Sequence, residues 1–284
     1  MTTVSRPEVD TDAARKQIEA LTSQMDFYLD YIAKDTGALD NVLRRALTLA
    51  QYRAAVDPDA AHPATWDALR LASRAATTVF TAATSAEGQE IEAVIGRPVR
   101  FTATGPSDSA HAGRWPTALW LAIIVRDDAA IQQLATVPEE ILRASGVEHD
   151  AYLYPWIETL QAFVTHREVT PEMFLPAMDG TDPDAARFTP PDAMLNLIYP
   201  PIEMFYYVLR RDPQKFRAAL VQALERHREY WTGTNRSGDP SGFLALAPLA
   251  IAVLAQSAGM SVDVQSEYLP ANLLTGTNTV RTSG

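Results

Sequence analysis

The chain has 284 residues, a net charge of −11 and no cysteine. Without cysteine there can be no disulfide, no thiolate nucleophile and no cysteine-held zinc, a composition that fits a reducing cytoplasm. The acidic balance argues against nucleic acid as the main partner, because phosphates demand a basic surface, and it suits a basic protein partner.

The opening MTTVSRPEVDTDAARK lacks an apolar stretch and is not expected to act as a secretory signal. A first helix is expected from Thr11 to Lys34, capped by Asp10 or Thr11, with Ile18, Leu21, Met25, Tyr28, Leu29 and Ile32 inward. About 100° around the wheel, Asp12, Glu19, Asp26 and Asp30 form an acidic strip, and Phe27 and Tyr31 lie on the far side. Two readings apply to that face. It is a solvated flank whose aromatics another helix covers, or it is an acidic, aromatic docking face for a partner.

Further helices are expected over 39–55 and 64–84, separated by the Asp57-Pro58 and His62-Pro63 loop. Residues 89–104 are rich in branched side chains around Gly96-Arg97-Pro98 and read as a short β-hairpin. Helices return over 110–125, 127–136, 139–144, 150–165 and 171–178. Pro200 and Pro201 cannot continue a regular helix, so a helix is expected to restart at Tyr199. With its partner it makes a helical hairpin from Tyr199 to Trp231, in which His227 falls on the buried stripe with Phe216, Leu220, Leu224 and Trp231. The apolar run Phe243 to Ala255, inside a last helix over 242–258, reads as a buried helix rather than a membrane span. A short strand near 261–266 and a disordered tail over 275–284 close the chain, leaving one helical domain over 1–274. One echo stands out: LAIIVRDDAAIQQL (121–134) and YYVLRRDPQKFRAAL (206–220) share an apolar helix end, an Arg-Asp turn and a new helix. The fold class expected is all-α, with stacked helical hairpins in a solenoid-like array.

No catalytic signature is present. The five histidines make no HExxH and no i, i+3 or i, i+4 pair, and no phosphate-binding loop or nucleophile elbow occurs. Glu203 among Tyr199, Tyr206 and Tyr207 is the best acid–base candidate, and a hydrogen bond or an ion pair with Arg210 is its structural alternative. Ser109, His111 and Arg114 near a helix start could recognise an anion, and capping is the structural alternative and the favoured reading. No metal site and no cofactor is expected.

The motifs Tyr199-Pro200-Pro201-Ile202-Glu203, His227-x-x-Tyr230-Trp231 and Gly259…Val262-x-Val264-x-Ser266-Glu267-Tyr268-Leu269-Pro270 carry a resemblance. In them the chain, from about Asp10 to Leu274, resembles the immunity-49 family, immunity proteins of polymorphic toxin systems abundant in actinobacteria. The resemblance implies a cytoplasmic, mostly helical, non-enzymatic protein that neutralises a cognate toxin by stoichiometric binding. A helical adaptor with another protein partner is the rival. Tyr199, Pro200, Glu203, His227, Tyr230, Trp231, Tyr268 and Pro270 read as structural, which leaves the strip of Asp12, Glu19, Asp26 and Asp30 with Phe27 and Tyr31 as the expected partner face. Neither a membrane nor nucleic acid is an expected partner.

Overall fold

A computed structural model describes residues 2–277. Asp10 accepts hydrogen bonds from the N–H groups of Asp12 (3.1 Å) and Ala13 (2.9 Å), so the first helix starts where the sequence places its cap. That helix, α1 (Thr11–Tyr31), packs on α2 (Ala38–Val56), and α2 on α3 (Pro63–Thr84). The buried Asp57 carboxylate shapes the α2–α3 turn, accepting from the N–H groups of Ala61 and His62 and from the Thr65 hydroxyl. The hairpin β2 (Glu90–Ile95) and β3 (Arg97–Thr102) is antiparallel, with Glu90 opposite Thr102 and Ile95 opposite Arg97. There follow α4 (Trp115–Val125), α5 (Asp128–Ala135), α6 (Glu139–Arg143), α7 (Leu153–Val164), α8 (Pro171–Asp179), α9 (Pro191–Ala193), α10 (Tyr199–Leu209), α11 (Pro213–Thr232), α12 (Leu246–Ser257) and α13 (Ala271–Thr275). The fold is all-α, helices stacked on their chain neighbours, as the sequence indicates. Residues 278–284, most of the expected tail, lie outside the described residues; of the rest, Thr275 ends α13 and Gly276 caps it.

Four corners repeat one device. After α4, α7, α10 and α12 the chain turns through Arg126 (φ 57°), His166 (φ 57°), Arg211 (φ 49°) and Gly259 (φ 81°), all in the left-handed region. The following N–H reaches back five residues each time: Asp127 to Ala122 (3.0 Å), Arg167 to Ala162 (2.8 Å), Asp212 to Tyr207 (3.1 Å) and Met260 to Ala255 (3.0 Å). The Arg-Asp echo in the sequence is two of these corners, each aspartate then capping the next helix at the N–H of Ala130 or Lys215. All four helix ends border one groove of about 840 Å³. The starts of the same helices border a different cleft, so the four run side by side in one direction.

Two differences from the sequence expectation have physical causes. Pro200 and Pro201 do not break the helix. The turn Met194–Ile198 before them is a π-helix, and the Tyr199 N–H bonds to the Met194 carbonyl five residues back. That wider turn makes room for the pyrrolidine rings, so α9 runs into α10 without interruption. The last long helix starts later than residue 242, because a 3₁₀ turn (Pro240–Phe243) precedes α12. The stretch 240–257 is apolar enough to resemble a membrane span, but α12 has 12 residues, about 18 Å of rise against a ~30 Å hydrocarbon core. Its Leu249 to Ala252 are wholly buried. The short strand β4 (Val264–Gln265) is paired in parallel with β1 (Thr2–Thr3), from the opposite end of the chain. The adjoining Arg6 side chain donates to the carbonyls of Ala54, Ala55 and Phe243, and its N–H donates to Glu267 (3.0 Å), tying the first residues to the C-terminal half.

Candidate functional site

Helical geometry puts Ala14, Ile18, Met25 and Leu29 of α1 into the core and leaves the opposite flank in water. All six residues of the expected partner face, Asp12, Glu19, Asp26, Phe27, Asp30 and Tyr31, are exposed. No helix covers the aromatics: Phe27 is 64% and Tyr31 42% exposed, and their rings stack with centroids 6.2 Å apart at 20°. The i, i+4 spacing brings them together. Asp12 pairs with Arg15 at 3.0 Å, and Asp30 pairs with Arg97 of the β-hairpin at 2.5 Å. Arg97 also donates to the Asp26 carbonyl (3.1 Å), so the hairpin is fastened to the end of this face. No ion pair reaches the Glu19 or Asp26 carboxylate among the described residues. Apolar Val94, 55% exposed, rises near the tip of the same hairpin.

The family motifs lie elsewhere, in packing. Phe205, wholly buried, meets Trp156 (5.1 Å) and Phe163 (4.9 Å) edge to face, fixing α10 against α7. His227 is buried, with the Tyr268 ring edge-on at 5.0 Å. Its Nε2–H donates to the Gly242 carbonyl (3.3 Å), and burial pushes its pKa down to about 4. Burial pushes the Tyr268 hydroxyl up to about 12. Tyr230 carries the Arg236 guanidinium 3.9 Å over its ring, Pro200 is buried, and Pro270 caps α13. Tyr199 is half-buried at the join of the π-turn and α10. Glu203 makes neither the Arg210 pair nor a tyrosine hydrogen bond among the described residues, and it does not line a cleft with His227.

Two features escape a linear reading. The first is a histidine pair. His111, ahead of α4, and His149, ahead of α7, stack with ring centroids 5.0 Å apart. Because His149 Nε2 accepts the Gly113 N–H (3.3 Å), the proton on the 3.0 Å contact belongs to His111 Nδ1. Burial first, and then the Arg114 charge, lowers the His111 pKa to about 4. Neither Ser109, His111 nor Arg114 supplies a side-chain cap to α4; Arg114 instead pairs with Asp40 of α2. The second is a cleft of about 480 Å³ at the starts of α4, α7, α10 and α12, lined by Trp120, Trp156 and Trp231. Six α-helices contribute to it, from α2 to α12, and only folding brings them together. No group of three or more metal-ligating side chains occurs among the described residues.

A family model described as Immunity protein 49 matches residues 57–273, about three quarters of the chain. No curated protein and no solved structure matches it. The match begins after α2, so the whole acidic face of α1 lies outside it, whereas the motifs at 199–203, 227–231 and 259–270 lie inside.

Proposed function

The chain belongs to the immunity protein 49 family, and from that premise we propose that it protects its producing cell in the cytoplasm by binding a cognate toxin. The toxin belongs to a polymorphic system, and inhibition is stoichiometric, by surface occlusion rather than by catalysis. The family match is the observation that carries this reading. The face of Asp12, Glu19, Asp26 and Asp30 with Phe27 and Tyr31 supplies the docking surface. Its carboxylates steer a basic toxin surface into encounter, and the exposed ring pair supplies the anchor.

The position of α1 supports this assignment. An immunity protein must separate its own toxin from related ones, and discrimination needs contacts that differ between systems. A helix outside the family-matched stretch can differ without disturbing the packing that the matched motifs maintain.

The test is reconstitution with the toxin domain encoded beside the gene, followed by light scattering and titration calorimetry. A one-to-one complex is expected, with affinity falling as salt rises. Failure of every neighbouring toxin domain to form a complex overturns the reading.

A further inference from the structure

The loops ahead of α4 and α7 are hydrogen-bonded through one side-chain atom. His149 Nε2 accepts the His111 Nδ1–H (3.0 Å) and the Gly113 N–H (3.3 Å). No other hydrogen bond joins residues 105–114 to residues 145–152 among the described residues. The two rings lie 18° from parallel with centroids 5.0 Å apart. Glycine makes that approach possible, because a Cβ at Gly113 would stand 2.7 Å from His149 Cε1 and 3.2 Å from His111 Nδ1. Gly113 and His149 both border the cleft of about 480 Å³, so the contact closes part of its wall.

An imidazole nitrogen that accepts hydrogen bonds carries its lone pair, so neutral His149 holds its proton on Nδ1. A proton added to His149 Nε2 turns that acceptor into a third donor, facing the His111 Nδ1–H and the Gly113 N–H, and both bonds are lost. A proton added to His111 goes to its own Nε2 and leaves the contact intact. The surrounding charges favour the first course. Arg114, at the head of α4, opposes charge on His111 more strongly than Asp40 of α2 and Asp108 of the same loop favour it. The charge that acts on His149 is Asp150, which favours its protonation. Burial keeps both rings neutral at pH 7, His111 with a pKa pushed down to about 4 and His149 with one lowered from its ordinary value.

We propose that this contact is an acid-sensitive clasp with His149 Nε2 as its switch: it is closed while that nitrogen is unprotonated, and one proton opens it, freeing the loop ahead of α4 from the loop ahead of α7. Both folded histidines titrate below the unfolded value of 6.5, so the clasp is complete above pH 6.5 and is lost as the pH falls toward 4. The device is independent of the docking face on α1.

The experiment uses the full chain and reads two signals. Nitrogen-15 NMR of the imidazoles reports protonation at His149 Nε2 without any variant. Amide hydrogen exchange reports the Gly113 N–H, with rates corrected for the intrinsic pH dependence of exchange. Between pH 7 and 4.5 the Gly113 protection factor is expected to fall about tenfold, the change produced by one pH unit past the folded pKa, while amides of α12 keep theirs. His149→Gln keeps an acceptor oxygen near the place of Nε2 and cannot be protonated, so it should hold the Gly113 protection constant over that range. Gly113→Ala, which drives the rings apart, should remove the acceptor signature of His149 Nε2 already at pH 7, with circular dichroism confirming that both variants fold. A His149 that carries its proton on Nε2 at pH 7, Gly113 protection unchanged at pH 4.5, or an equal pH response in folded His149→Gln overturns the proposal.

Discussion

Single side chains hold this fold at points that a wheel cannot display. The Asp150 carboxylate accepts from three backbone N–H groups, those of Arg187 (2.6 Å), Phe188 (3.1 Å) and Thr189 (2.8 Å), and so organises the loop between α8 and α9. Burial raises its pKa, but the Thr189 hydroxyl and those N–H groups outweigh that and hold it below the usual carboxylate value. Asp150→Ala strands all three donors and should cost on the order of 3 kcal/mol in urea unfolding; a loss under 1 kcal/mol would contradict this role. His227 makes a pH prediction. Its folded pKa of about 4 lies below the unfolded value of 6.5. Its contribution is therefore complete above pH 6.5 and is lost as pH falls from 6.5 through 4, about 2 kcal/mol of it by pH 5. The variant His227→Gln, which keeps a donor for the Gly242 carbonyl, should flatten the stability-versus-pH curve between pH 7 and 5. Equal slopes for the two proteins would exclude His227 as the source.

At the scale of elements, the left-handed corners are the recurring device, and they do not all have the same worth. Arg211 occupies a conformation that costs a non-glycine residue about 1 kcal/mol, and its guanidinium makes no hydrogen bond or ion pair among the described residues. Arg126 pays the same strain but donates to the carbonyls of Ile124, Leu273 and Leu274, holding α13 against the end of α4. Arg211→Gly should thus leave thermal stability unchanged or raise it slightly, whereas Arg126→Gly should lower it by roughly 1–3 kcal/mol; the reverse order would refute this division. These corners also show what the sequence can convey. The Arg-Asp turns, the Asp10 cap and the buried stripe of α1 are written in spacings of a few residues, and all are readable there. The π-turn ahead of Pro200 is not, because its hydrogen-bond shift answers to ring clashes and packing rather than to composition. The β1–β4 pair, the His111–His149 contact and the Trp cleft join residues dozens to hundreds apart. No periodicity encodes such meetings. Of the candidate site, the exposure of Phe27 and Tyr31 was half legible: the wheel places them off the core, but only the fold shows that nothing covers them.

For the whole molecule, the division of labour is between a packed body and an outer helix. The body contains the matched motifs, and in it His227 meets Trp231 and Tyr268, and Phe205 meets Trp156, in aromatic contacts. One hydrophobic cluster runs from Val4 to Leu274, and β1 and Arg6 bind the two chain ends into it. On the outside, α1 carries carboxylates and an uncovered ring pair, with Ala14, Ile18, Met25 and Leu29 holding it to the body. The most direct measurement is growth of cells expressing the neighbouring toxin domain with this chain, and with its Phe27→Ala/Tyr31→Ala variant. The expected result is rescue by the unmodified protein and its loss in the variant, with the variant's melting temperature unchanged, since both rings are exposed. Growth arrest that the unmodified protein fails to relieve would contradict the immunity reading; full rescue by the folded double variant would contradict the assignment of the docking face to α1.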